Sequence, residues 1–176
     1  MGEGKSKPQL LGRSARKWVL WVHVLSSMLW MGAALAMMVL TFAKGSRPTN
    51  AAELYAFCLC VKLIDDFVII ASCGISALSG MLLSWKTPWG FFKYWWVAVK
   101  LVITVALLAV GASLLGPWIN ETEHLARTNG WEAQSLPRYQ AVEWRVSVLG
   151  SIQMVILAFV LYASIHKPWG KVERPG

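Results

Sequence analysis

The sequence predicts an all-α protein that lies in a membrane as a four-helix bundle, with its N and C termini in the cytoplasm. Apolar residues make up 56% of the 176 residues and mean hydropathy is +0.50, whereas a soluble domain is about 45–50% apolar. These residues are concentrated in four blocks, each close to the ~20 residues that a helix needs to cross a bilayer. At this length we expect a single transmembrane domain over residues 1–176.

The four predicted spans cover residues 18–42, 67–84, 95–115 and 146–165. The first is too long for the apolar region of a signal peptide, which is about 7–15 residues, so we expect it to be retained. Asn50 followed by Glu53 has the pattern of a capping box and predicts that the second helix begins near residue 50. Pro137 suits the first turn of a helix that leads into the fourth span. Residues 116–143 are then expected to form a long outer loop.

Positive residues indicate the orientation of the bundle. Ten lie on the side of the termini: Lys5, Lys7, Arg13, Arg16, Lys17, Lys86, Lys93, Lys167, Lys171 and Arg174. Five lie on the other side: Lys44, Arg47, Arg127, Arg138 and Arg145. The positive-inside rule therefore places both termini in the cytoplasm. Tryptophans near the two predicted interfaces are typical of aromatic belts: Trp18, Trp21, Trp85, Trp89, Trp95, Trp96 and Trp169 on one side, Trp118 and Trp144 on the other.

Small and polar residues within the spans indicate that the helices pack against each other. Ser72, Ser76 and Gly80 form a ladder of small residues at four-residue spacing, which lets two helix backbones approach closely. Gln153 is expected to form a hydrogen bond between helices, because lipid offers its amide no partner.

Two ionisable residues lie well inside predicted spans, where a charge is costly and indicates function. His23 is five residues inside Trp18, and Lys100 is five residues inside Trp95. Both spans enter from the side of the termini, so the two side chains are expected at similar depth, where they could face one site. The structural alternative is that His23 hydrogen-bonds a neighbouring helix and that Lys100 extends to the interface.

The residues around this pair suggest a binding site for haem b or a porphyrin. Ser27 and Trp30 lie one and two turns beyond His23, and Thr104 one turn beyond Lys100. A neutral imidazole in a dry bundle is a good ligand for haem iron, and Lys100 could pair with a propionate. His166, at the end of the fourth span, is a candidate second axial ligand, although an interfacial histidine is more often simply solvated.

The remaining polar and charged residues indicate a function less strongly than His23 and Lys100 do. Lys62, Asp65 and Asp66 are expected at the outer boundary as an ion-pair set with Arg138, Glu143 or Arg145; a proton or ion entry site is the alternative. The three cysteines at positions 58, 60 and 73 form no C-x-x-C pattern and are interpreted as buried reduced thiols. The net charge of +8 forms no stripe suited to nucleic acid, so we expect none as a partner.

The first span reads His23-x6-Trp30-x-Gly32, with Gly80, Lys100 and Lys167-Pro168 following in the later spans. This order resembles small four-span bacterial membrane proteins grouped around the HemJ-type protoporphyrinogen oxidases and the CopD-type copper-resistance proteins, particularly their uncharacterised relatives. The resemblance implies that His23 ligates haem b and that Lys100 matters for function. The chain lacks the Pro-Arg pair of HemJ-type first spans and reads Val39-Leu-Thr-Phe-Ala there. The resemblance therefore supports the fold and haem binding more strongly than it supports protoporphyrinogen oxidation.

The sequence alone leaves three possible functions open. The first is a haem b or porphyrin-handling protein of the bacterial inner (cytoplasmic) membrane, with a redox role. The second is a non-catalytic subunit or assembly factor of a larger membrane complex, which binds membrane protein partners or a second copy of itself and needs no cofactor. The third is a copper or small-solute transport component, which the absence of any Cys-x-x-Cys cluster disfavours.

Overall fold

The computed structural model describes residues 11–87, 90–167 and 169–170. Lys5, Lys7, Trp89, Pro168, Lys171 and Arg174, on which part of the orientation and resemblance arguments depends, lie outside the described residues. Within the described ranges, four helices are long and apolar enough to cross a membrane, which confirms the predicted all-α four-span architecture.

The first two of these helices run in opposite directions. Helix α1 covers Arg13–Lys44. The second long helix begins with α2, Ala51–Leu63, continues through a π-helical turn, Ile64–Ile69, and ends with α3, Ile70–Lys86.

The third long helix comprises α4, a second π-helical turn and α5: Trp95–Val110, Gly111–Leu115 and Gly116–Asn129. A 3₁₀ segment, Gly130–Ser135, leads to α6, Pro137–His166.

Both ends of the described chain lie at the same end of the bundle, called here the termini end. The backbone N–H of Leu11 donates to the carbonyl of Lys86, and that of Trp95 donates to the carbonyl of Gly170. The opposite end, called here the cap end, contains α2, α5, the 3₁₀ segment and the first turns of α6. Which end faces the cytoplasm stays a prediction from the charge distribution.

The predicted start of the second helix is confirmed, with a small change in its cap. Asn50 accepts a hydrogen bond from the backbone N–H of Glu53 at 3.0 Å. The Glu53 carboxylate binds the N–H and hydroxyl of Thr49, at 2.7 and 3.0 Å, instead of the N–H of Asn50. These bonds lower the pKa of Glu53, because they stabilise its charged form. The predicted first-turn position of Pro137 is also confirmed.

The prediction of a long loop over residues 116–143 is wrong. The third helix continues through the predicted membrane boundary into α5, because the π-helical turn precedes Pro117. A proline inside an α-helix clashes with the carbonyl four residues earlier, and a widened turn relieves that clash without ending the helix.

The cap end has its own apolar core. Leu54 and Cys58 of α2 pack with Ala126, Ala133 and Tyr139. A second cluster beneath it joins Val61, Ile119, Val142 and Val146. These contacts hold α2, α5 and the start of α6 together beyond the spans that the sequence predicts.

The predicted partners of the Lys62, Asp65 and Asp66 cluster are wrong. Lys62 pairs with Asp66 at 2.8 Å and also contacts the amide oxygen of Asn120. Arg138 instead pairs with Glu121, Glu143 pairs with Lys44, and Arg145 lies over the ring of Trp118. The start of α6 therefore binds α5 and α1, and its charges are already matched there.

The three cysteines differ in exposure, which corrects the prediction that all are buried. All are free thiols, but only Cys58 is buried; Cys60 is exposed and Cys73 is partly buried. Cys58 lies beneath Tyr139, whose hydroxyl is 3.7 Å from its sulfur. Burial raises the pKa of the Cys58 thiol, so it stays protonated and unreactive at neutral pH.

We expect a membrane-impermeant maleimide to label Cys60 in intact cells. Cys60 is exposed at the cap end, which the charge distribution places outside the cytoplasm, whereas Cys58 is 2% exposed. A gel shift or mass spectrum would measure the labelling. The Cys60→Ser variant, which keeps the other two cysteines, should remain unlabelled. Labelling of Cys60 only after permeabilisation would place the cap end in the cytoplasm and reverse the predicted orientation.

Candidate functional site

The small residues of α3 bring its backbone close to α1. Ser72, Ser76 and Ser79 are buried, each less than 8% exposed, and α3 is the element against which α1 packs most extensively. Ser79 donates its hydroxyl hydrogen to the carbonyl of Ile75 at 2.6 Å, so the hydroxyl costs little in an apolar interface. The predicted ladder of small residues thus forms a helix–helix contact, as expected.

His23 of α1 crosses this contact. Its Nδ1 lies 2.9 Å from the backbone oxygen of Ser76 and 3.2 Å from the hydroxyl oxygen of Ser79. A carbonyl oxygen can only accept, so Nδ1 carries the hydrogen. In the neutral ring the lone pair is then on Nε2. Among the described residues, Nε2 has no hydrogen-bond partner.

Gly80 provides the space for the imidazole. A Cβ atom placed on Gly80 would lie 3.0 Å from Cε1 of His23 and 3.4 Å from Nδ1. The ring therefore lies directly over the glycine backbone, and a side chain at position 80 would push it by at least a few tenths of an ångström.

Ser27 belongs to the same contact. Its hydroxyl donates to the carbonyl of His23 at 2.7 Å and, with its hydrogen used there, accepts from the hydroxyl of Ser76 at 2.7 Å. The structure thus brings His23 and Ser27 together at one surface of α3.

Lys100 lies on α4 and is partly buried. Among the described residues, its ammonium group has no hydrogen bond or ion pair. That Lys100 and His23 face one site stays a prediction from their similar depth.

The other candidate residues have separate surroundings. Trp30 is 7% exposed and packs with Leu107 and Leu157 in the bundle core, while Thr104 is partly exposed. His166 is exposed at the end of α6. Its ring stacks on Tyr162 with centroids 4.2 Å apart, and its Nδ1 lies 3.2 Å from the carbonyl oxygen of that residue.

Sequence reasoning missed the partners of His23. The carbonyl of Ser76 carries no signal in the sequence, since every residue has one. Ser79 could have been found, because it lies beside Ser76 and Gly80 on a face of small residues that a large side chain from another helix can fill. Gln153 was predicted correctly as an interhelical contact: its amide donates to the carbonyl of Leu107 at 3.3 Å.

Comparison with known families agrees with this architecture. Residues 17–168 match the family described as predicted integral membrane protein DUF2269. The chain belongs to this family. No curated protein and no solved structure matches it.

The match to the DUF2269 family covers all four spans and the cap end between them. It shows that the chain is an integral, multi-pass membrane protein in contact with the lipid bilayer. The exposed tryptophans fit that environment: Trp18, Trp21, Trp85, Trp95 and Trp144 are each more than half exposed. A relation of this DUF2269 protein to the HemJ and CopD types stays a prediction from the resemblance in its first span.

Proposed function

We infer that the protein is a haem b or porphyrin-handling protein of the inner (cytoplasmic) membrane, in which His23 is the axial ligand. The observation that carries this proposal is the bond from Nδ1 of His23 to the Ser76 carbonyl. A histidine that ligates a metal almost always donates its other ring N–H to a carbonyl, carboxylate or water, which orients the ring and raises the basicity of the ligating nitrogen. Nε2 of His23 is the nitrogen that would bind iron.

The surrounding residues fit such a group. One histidine suffices as a protein ligand for haem, whose iron has a redox chemistry that the axial ligand and nearby charges tune. Lys100 would place a cation beside a propionate or an anionic substrate, which offsets the cost of a charge within the span. Ser27 would hold the α1 backbone at His23.

One observation favours the second function, a subunit or assembly factor without a cofactor. The His23 ring lies over Gly80 and is hydrogen-bonded to α3, so it already joins two helices. A histidine with only this structural role would have the same contacts. In that case the exposed surface, and not the bundle interior, would carry the function by binding a membrane protein partner or a second copy of the chain.

Optical spectra of the detergent-purified protein, oxidised and dithionite-reduced, test the proposal. We expect a Soret band and sharp reduced α and β bands in the wild type, and their loss in His23→Ala, because the mutant lacks the axial nitrogen. His124→Ala, which alters an exposed histidine of α5, is the matched control, and His166→Ala decides separately whether His166 is a second ligand.

Lys100→Met should retain the haem bands but bind haem more weakly, because the variant loses the cation and not the ligand. A colourless wild type after expression with added haem would contradict the cofactor proposal. Native mass spectrometry of the membrane extract would then test the subunit function by the mass of the assembly that contains the chain.

A further inference from the structure

A cavity of about 340 Å³ lies at the cap end, at the other end of α1 from His23. Its lining comes from α1, the 3₁₀ segment and α6, and includes Lys44, Gln134, Tyr139, Gln140, Glu143 and Trp144. This volume is within the usual range for small-ligand sites, about 300–1,000 Å³. None of these residues takes part in the site around His23.

The cavity is lined by one charge of each sign, a buried ammonium and a partly buried carboxylate. Nζ of Lys44 lies 2.7 Å from Oε2 of Glu143, with the two side chains 4% and 21% exposed. The same ammonium lies 5.9 Å from the centre of the Tyr139 ring. Because the two charges balance, the lining disfavours a simple anion or cation and favours a ligand that carries both signs.

Gln134 supplies a donor that has no acceptor. Its Nε2 is buried, and among the described residues it has no hydrogen-bond partner. Gln140 is already engaged, since its Nε2 donates to the backbone carbonyl of Gln134 at 2.9 Å. A buried amide without a partner is costly, so Gln134 offers a hydrogen-bond donor to an oxygen atom that enters the cavity.

The position of the cavity indicates where a ligand would come from. Trp144 lines it and is 69% exposed, two residues before the fourth predicted span begins. Exposed tryptophans at that level lie among lipid headgroups. The cavity is therefore accessible both to a headgroup and to a small solute in the water beside it.

We propose that this cavity binds an aminoethyl phosphate group, either as the headgroup of phosphatidylethanolamine or as free phosphoethanolamine. The phosphate oxygens accept from the Gln134 amide and the Lys44 ammonium. The primary ammonium group donates to the Glu143 carboxylate; a quaternary ammonium has no N–H and cannot form this bond.

Thermal unfolding of the full-length protein in detergent tests this proposal. The additions are short-chain phosphatidylethanolamine, phosphatidylcholine and phosphatidylglycerol with identical acyl chains, and soluble phosphoethanolamine. We expect phosphatidylethanolamine or phosphoethanolamine to raise the unfolding temperature saturably, because a ligand that binds only the folded state stabilises it. Gln134→Leu should weaken this binding about tenfold or more. Thr128→Val, which alters an exposed hydroxyl of α5 outside the lining, should not weaken it.

The outcomes separate the two sources. A shift with the lipid alone identifies a headgroup site, and a shift with the soluble compound identifies a solute site; both support the proposal. An equal shift with phosphatidylcholine or phosphatidylglycerol, unchanged affinity in Gln134→Leu, or no shift with any addition would overturn it. The comparison of headgroups uses the wild type, so it decides the question even if Gln134→Leu does not fold.

Discussion

Replacing Gly80 with alanine is expected to destabilise the bundle by about 1–3 kcal/mol, the usual cost of overpacking. The new Cβ would lie 3.0 Å from Cε1 of His23. The ring would then have to move, which strains its bonds to Ser76 and Ser79. Valine at position 80 should cost more, because its branches enter the same space. The unfolding temperature in detergent, followed by circular dichroism, measures the effect.

Gly74→Ala is the matched control for this prediction. Gly74 lies on the same helix, and nothing lies within 4 Å of a Cβ placed there. The control should be neutral or slightly stabilising, since alanine favours a helix more than glycine does. In the His23→Ala background, Gly80→Ala should lose most of its cost, because the ring that it displaces is gone. Equal effects of Gly80→Ala with and without His23 would show that the two residues do not contact each other.

Glu143→Gln is expected to destabilise the protein by about 3–5 kcal/mol, the cost of leaving a buried charge unpaired. Lys44 is 4% exposed and, among the described residues, pairs with no other carboxylate, so its ammonium would then be solvated only through the cavity at the cap end. The double variant Lys44→Met with Glu143→Leu should recover most of the loss, because no unpaired charge remains. Thermal unfolding of the wild type, Lys44→Met, Glu143→Leu and the double variant forms the cycle that measures the coupling.

Arg127→Met is the control for this second prediction. Arg127 pairs with Glu123 on the surface of α5 at 3.5 Å, and its side chain is 60% exposed. Its partner Glu123 is 12% exposed, but the solvated guanidinium limits the contribution of such a pair to about 0–1 kcal/mol. If Glu143→Gln cost no more than Arg127→Met, water would have to reach the Lys44 ammonium, and the buried-pair interpretation would be wrong.

Much of the fold could be predicted because its determinants are local. Asn50 and Pro137 marked the two helix starts, as each acts on the backbone within one turn. The segment after residue 115 was predicted wrongly because its local residues point to a helix end that the tertiary packing overrides. Gly116 and Pro117 usually end a helix, and only the packing of α5 against α2 and α6 shows that the helix continues.

The candidate site was predictable only in part. Membrane depth selected His23 and Lys100, because a charge inside a span is rare and can be counted from the sequence. Depth does not say which way a helix is rotated, so the Ser76 carbonyl and the space over Gly80 were not predicted. Lys44 was counted only as a positive charge for orientation, although it is among the most buried polar residues.

Hydropathy and charge by themselves determined that this protein is a helical membrane protein with four spans, because lipid accepts only segments that satisfy their own backbone and are apolar outside. The tertiary structure alone decided what each polar side chain contacts. His23 and Ser76 are on different helices, as are Lys44 and Glu143, and their meeting depends on how the helices rotate and cross. That arrangement arises from the summed packing of many small contacts, which no short stretch of sequence contains.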